Sequence, residues 1–204
     1  MTLAVVKLGL LMALVVVALA DAASAEPQRF TKIGDRLFFD SNVPFPKDTS
    51  DSIGGLDDNE LYYLLKHSPD IRTVVLNSDG GSIATGRAMA ETITLFNVDT
   101  EVRGRCLSAC TEVFMGGRHR TLPKGSVLGF HRSYVEVPDI DKSSKSIVAD
   151  EFDIGVDAAL ANVKFMLEHG VDIRFALKAL NYERGDMWLP SRAELTAAGV
   201  LTAP

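Results

Sequence analysis

The tightest constraint on the fold lies between residues 71 and 102. Ile71 to Leu76, IRTVVL, is a β-branched apolar run short enough for a buried strand. NSDGG breaks it, and from Ile83 to Phe96 the residues Gly86, Met89, Ala90, Ile93 and Phe96 recur at helical spacing. Thr100 to Val102 is the next strand-like run, and Ser108 to Met115 the next helix. Arg118 to Leu122 and Ser126 to Phe130 read as two further short strands around the turn Pro123-Lys124-Gly125. This βαβα order predicts an α/β fold with a mostly parallel sheet flanked by helices.

The flanking segments add to that frame. Arg29 to Ile33 and Arg36 to Phe39 alternate apolar and polar residues about Gly34-Asp35, which predicts a hairpin. A helix is expected from Asp58, with Asp57 as its cap and Glu60 three residues on. It should end near His67, because Pro69 disfavours helix at Ser68. Phe152, Val156, Ala159, Leu160, Val163 and Leu167 mark the packed face of a longer helix that stops at Gly170. A shorter helix comes next over Asp172 to Leu180, then a capping box at Ser191 and Glu194 opens a last one that Gly199 closes. The stretches 41–55 and 137–146 read as loops.

The chain opens with Lys7 near its start, an apolar run of 13 residues from Leu8 to Ala20, and small residues at Ala23 and Ala25. That pattern predicts a secretory signal peptide over residues 1–25, leaving a single domain over 26–204. The run is short of the about 20 residues a membrane span needs. The alternative is an uncleaved membrane anchor, and both place the body in the periplasm or outside the cell. Without residues 1–25 the chain loses one positive and one negative charge, Lys7 and Asp21, and keeps its net −6. An acidic chain with no Lys/Arg cluster argues against nucleic acid as a partner.

Two features carry chemistry. Gly80-Gly81 sits at the C-terminal edge of a predicted parallel strand, where open α/β sheets place their ligands. Paired glycines can bring backbone N–H groups close to a ligand, as an oxyanion hole requires, though a plain strand-to-helix turn needs glycine as well. Ser108 opens a helix whose first N–H groups are unsatisfied, so it is an N-cap or, with a base nearby, a nucleophile. Of the four histidines, His67 comes after a helix face, His119 lies between two arginines, and His169 precedes a helix-ending glycine. His131 differs, because it closes the strand Val127 to Phe130 at the same sheet edge as Gly81.

Taken together, LNSDGGSIATG (Leu76 to Gly86), GRCLSACTEVF (Gly104 to Phe114) and GSVLGFH (Gly125 to His131) resemble the serial signature of the Clp protease proteolytic subunit and its ClpP/crotonase-like relatives. The resemblance implies the ββα-superhelix of that superfamily. It assigns Ser108 as nucleophile and His131 as general base, 23 residues apart. It assigns the backbone N–H groups of Gly81 and Ala109 to the oxyanion hole, with Gly80 shaping it. The family's catalytic acid falls on Asn181, with Asp186 the nearest carboxylate and Asp172 a third candidate. Relatives of this superfamily assemble into rings or stacked trimers, so the resemblance allows a homo-oligomer.

The chain departs from the pattern at Asn181, which can hold an imidazole tautomer but cannot offset an imidazolium charge. It departs again at Cys110, where the family has glycine. An exported protein has no ATP-driven unfoldase at hand, so no such partner is expected, and a peptide or protein substrate is. Exported relatives resembling signal peptide peptidase A use a serine and a lysine, which makes Lys142 or Lys145 the alternative base. An acyl-CoA reaction of the crotonase kind is disfavoured, since it would require CoA outside the cytoplasm. No motif calls for a cofactor.

Cys106 and Cys110 are the only cysteines, in an oxidising compartment. Their spacing suits a short disulfide flanking Ser108. Two buried thiols, or a zinc site with His119 and His131, are the alternatives. The expected function is a periplasmic or secreted serine hydrolase, most simply a peptidase. Its rival is a non-catalytic binding or assembly protein whose site has decayed.

Overall fold

The computed structural model describes residues 28–43, 52–132, 145–183 and 185–203, with the leader at 1–25 and most of the 137–146 stretch outside them. Strands β1 (Phe30–Ile33) and β2 (Arg36–Asp40) form the expected antiparallel hairpin. From there the sheet is parallel. β2 pairs with β3 (Thr73–Ser78) and β3 with β4 (Asp99–Leu107). The far edge of β4 is shared, its first half pairing with β5 (Arg120–Thr121) and its second with β6 (Val127–Gly129). Helix α1 (Asp57–His67) lies between β2 and β3, α2 (Ile83–Phe96) between β3 and β4, and α3 (Ala109–Met115) directly after β4. The chain continues through α4 (Lys145–Glu168), α5 (Ile173–Ala179) and α6 (Arg192–Ala197).

One face of the sheet contributes Leu37, Phe39, Val74, Leu76, Val102 and Cys106 to a buried core. Leu61 and Leu65 of α1, Met89 and Ile93 of α2, and Val113 and Phe114 of α3 belong to the same core. Burial of such side chains stabilises by roughly 1.5–3 kcal/mol each, which is what holds short strands of mediocre length in register.

β4 is the element that departs furthest from expectation. It runs for nine residues where the alternation predicted three, and it is irregular. Leu76 of β3 lies opposite Val102, but Ser78 lies opposite Cys106, so β4 carries two extra residues over this interval. Gly104 lies in the excess with φ 96°. The side chain of Asn77 plugs the bulge, its Oδ1 accepting from the Arg105 N–H at 3.3 Å and its Nδ2 donating to Asp40 Oδ2 at 3.0 Å. A bulge bends its strand and re-aims the residues beyond it. Those residues in β4 are Cys106 and Leu107, and after them Ser108.

Three other expectations are corrected. Asp57 is not a cap but the first residue of α1, and its buried carboxylate accepts from Arg29 Nη1 at 2.7 Å and the Gly54 N–H at 2.9 Å. The two outer strands are shorter than expected, because β5 begins only at Arg120 and Phe130 leaves β6 to bridge with Trp188. On α4, the expected stripe is packed only in part, at Val163. Val156, Leu160 and Leu167 are exposed, whereas Asn162, Phe165 and Met166 are buried. α4 also starts at Lys145, inside the stretch read as a loop. The capping box of Ser191 and Glu194 is present as expected.

Arg120 ties helix ends together without a carboxylate. Its Nη1 donates to the carbonyls of Met115 at 3.1 Å and His169 at 3.0 Å, and its Nη2 to that of Gly199 at 2.7 Å. Those carbonyls lie at or just past the C-terminal ends of α3, α4 and α6, where a cation is favoured.

The stripe on α4 has a polar centre for a reason. Asn162 Nδ2 donates to Glu112 Oε1 on α3 at 3.0 Å, and Arg87 Nε on α2 faces Oε2 at 3.3 Å. Burial pushes the Glu112 carboxyl up to about 7, against the lowering pull of Arg87. The folded carboxyl therefore holds its proton more tightly than the unfolded one. Its stabilising contribution is complete below the ordinary value of 4.5 and is lost as pH rises through about 7. Denaturant unfolding across that window should show the wild type losing up to about 3 kcal/mol relative to Glu112→Gln. Parallel pH profiles for the two proteins would refute this.

Candidate active site

β4 delivers Ser108 at its end, and α3 begins at the next residue. Between them Ser108 adopts φ 53° and ψ −126°, a conformation sparsely populated for a side-chain-bearing residue. Among the described residues only Asn97 shares a positive φ without being glycine, and it is an ordinary left-handed helix cap. A strand, a strained serine and a helix make a sharp elbow that thrusts the hydroxyl out of the backbone path. The elbow is held from both sides. The Ser108 N–H donates to the Gly129 carbonyl of β6 at 2.9 Å, and the Ser108 carbonyl accepts from Thr111 N–H at 2.9 Å and Thr111 Oγ1 at 2.7 Å.

Cys106 and Cys110 are joined in a disulfide with a Cα separation of 5.1 Å, and both are fully buried. The free-thiol and zinc readings are thereby set aside for these two residues, and no cluster of three or more metal-ligating side chains occurs among the described residues. The bridge spans the elbow, from the end of the strand to the first turn of the helix. A loop this small contributes about 2 kcal/mol by chain entropy.

β6 leads directly to His131, whose Nε2 lies 2.7 Å from Ser108 Oγ. The Nδ1 of the same ring is 2.7 Å from the carbonyl oxygen of Arg132. A carbonyl can only accept, so Nδ1 is the donor, and in a neutral ring so held an unprotonated Nε2 faces the serine hydroxyl. This is the tautomer a general base needs.

Just past the end of β3, Gly80 faces the elbow and Gly81 lies against Ile53. A Cβ on Gly80 would stand 2.7 Å from the Leu107 carbonyl, 2.8 Å from Ser108 Cβ and 3.1 Å from Ala109 N, and the residue has φ 104°. No side chain fits there. The Gly80 N–H donates to Ser78 Oγ at 3.1 Å, and that hydroxyl is paired with Ser41 Oγ at 2.6 Å. Ile53 fixes the turn from the other side, donating its N–H to the Gly80 carbonyl at 2.7 Å and accepting from the Ser82 N–H at 3.0 Å. The N–H groups of Gly81 and Ala109 have no acceptor among the described residues. Backbone donors left unclaimed are what stabilising a developing oxyanion requires.

The structure brings together Ser108, His131, Gly80, Gly81, Ala109, Cys106 and Cys110. It does not bring in the three acid candidates. Asn181 and Asp186 are exposed, and no described hydrogen bond joins either to His131. They lie on the stretch that flanks β6, where the Tyr182 carbonyl accepts from the Arg132 N–H at 2.8 Å and Trp188 bridges with Phe130. Asp172 caps α5 and pairs with Arg174. Of the alternative lysine bases, Lys142 lies outside the described residues and Lys145 opens α4. Sequence reasoning missed Ile53, Asn77 and Ser78, all of which act through a register that no local pattern encodes.

No protein-family model matches the chain, and no curated protein sequence does. Among solved structures, a ClpP1 mutant from Listeria monocytogenes is similar with a TM-score of 0.58, over 74% of this chain and 84% of that one, at 14% identity. The fold is ClpP-like. This agrees with the resemblance drawn from the three ordered blocks, and at this identity it speaks for the ClpP-like fold alone.

Proposed function

We propose that this chain is a serine hydrolase, acting as a peptidase on peptide or protein substrates outside the cytoplasm. The observation that carries the reading is the 2.7 Å contact between Ser108 Oγ and His131 Nε2 at a strained elbow. A site kept only for binding has no need to hold the pair in hydrogen-bonding distance at a costly serine conformation. Export rests on the signal-like residues 1–25, and assembly as a homo-oligomer on the resemblance.

In the reaction proposed, Ser108 Oγ attacks the scissile carbonyl carbon while its proton passes to His131 Nε2. The carbonyl oxygen becomes an oxyanion between the N–H groups of Gly81 and Ala109. When the C–N bond breaks, Nε2 returns the proton to the leaving amine, and water then cleaves the acyl-enzyme by the reverse use of the same groups. The Arg132 carbonyl accepts from Nδ1 and helps to orient the imidazole.

Treatment with a fluorophosphonate probe should modify the wild-type chain at Ser108, located by peptide mass spectrometry, and leave Ser108→Ala unmodified. A folded wild-type chain that stays unmodified would overturn the reading.

A further inference from the structure

The site contains a brace that the proposed reaction does not use. Asp79 immediately precedes Gly80, and Arg105 lies three residues before Ser108. Arg105 Nε lies 2.5 Å from Asp79 Oδ1 and its Nη2 2.6 Å from Oδ2, a two-pronged pairing of guanidinium with carboxylate. Such pairs fix direction as well as distance, because the planar fork matches the carboxylate in one orientation. The backbone at Arg105 is itself anchored, since its N–H donates to Asn77 Oδ1 inside the bulge of β4. One end of the brace is therefore rooted in the strand that carries the nucleophile. The other is rooted in the turn that presents Gly81.

We infer that the Asp79–Arg105 pair is a positioning pair that pins the Gly80-Gly81 turn against the Ser108 elbow. Neither residue touches the reacting atoms. The pair matters because the two donors proposed for the oxyanion belong to different segments, Gly81 to the β3–α2 turn and Ala109 to the start of α3. Ile53 holds that turn at its far side and the Ser78 hydroxyl holds it from within, and the last ladder pair to β4 is Ser78 with Cys106. Beyond that pair, Arg105 supplies a side-chain tie from β4 to Asp79. Both side chains are about half exposed, 53% for Arg105 and 42% for Asp79, so the pair adds little to global stability. Exposure thus separates the two roles: a merely structural pair changes nothing measurable when cut, whereas a positioning pair changes the turn and the rate.

The effect on rate rests on the hydrolase reading, and the effect on the turn does not. Full-length Asp79→Asn and Arg105→Gln should each melt within about 3 °C of wild type. In hydrogen exchange, peptides covering residues 77–86 should exchange faster in both, with α5 and α6 unchanged. With a fluorogenic peptide or ester, kcat should fall on the order of tenfold with KM little altered, since misplacing a donor by a fraction of an ångström acts on the transition state. The charge-reversed double variant Asp79→Arg/Arg105→Asp should recover most of both losses. Unchanged exchange at 77–86 in both single variants overturns the inference, whatever the rates do. Faster exchange with unchanged kcat also overturns it as a positioning role. Faster exchange in a chain whose wild type neither turns over substrate nor takes the phosphonate upholds the brace and overturns the hydrolase reading alone.

Discussion

His131→Ala should lower the hydrolytic rate by on the order of 10⁴-fold while leaving the melting temperature within about 4 °C of wild type. His131 is only partly buried and is not among the core residues, so its removal opens no core cavity. The loss is chemical. Without Nε2 the Ser108 hydroxyl keeps its proton, and the remaining acceleration comes from the Gly81 and Ala109 donors and from substrate binding. Residues that act as one unit are not additive, so Ser108→Ala/His131→Ala should be no slower than either single variant. Steady-state kinetics with thermal melts on the same preparations decides the matter. A His131→Ala chain within tenfold of wild type would remove the histidine from the reaction.

Gly80→Ala is expected to damage the site strongly while leaving both reacting side chains in place. The methyl group would press on the backbone at Leu107 and Ala109 and on Ser108 Cβ. None of these is the far end of a flexible side chain that could swing aside. Overpacking and a φ of 104° together cost about 3 kcal/mol, a drop of roughly 6–12 °C in melting temperature. The turn must retreat from the elbow, taking the Gly81 N–H with it, so kcat should fall on the order of 10²-fold or more. Gly125→Ala is the control. Gly125 also has positive φ, 90°, but a Cβ there meets nothing within 4 Å, so only the backbone cost remains. If Gly80→Ala behaved like Gly125→Ala in both melting and rate, the close approach would have no functional meaning.

Periodicity alone sufficed for the order of strands and helices around the site, because IRTVVL and the helix after NSDGG bury apolar faces that repeat at fixed intervals. The pairing of Ser108 with His131 was legible from three ordered blocks, each weak alone. What stayed hidden depends on long-range partners. Asp57 looks like a cap until Arg29, 28 residues away, claims its carboxylate. The packed face of α4 was misread because Asn162 counts as polar unless its buried partner Glu112 is known. The brace between Asp79 and Arg105 exists only because β4 carries two extra residues opposite Asn77, and no propensity announces that.

The sharing of one edge of β4 by β5 and β6 bears on how the molecule comes apart. A strand at the rim, such as β1, can fray and re-form without disturbing its neighbours. β4 is bonded to β3 on one side and to two strands on the other, so freeing it means breaking the middle of the sheet. Partial openings concentrate where few bonds must be broken at once. The serine is thus mounted on the segment among the last to let go, and its aim outlasts the everyday loosening of the outer strands.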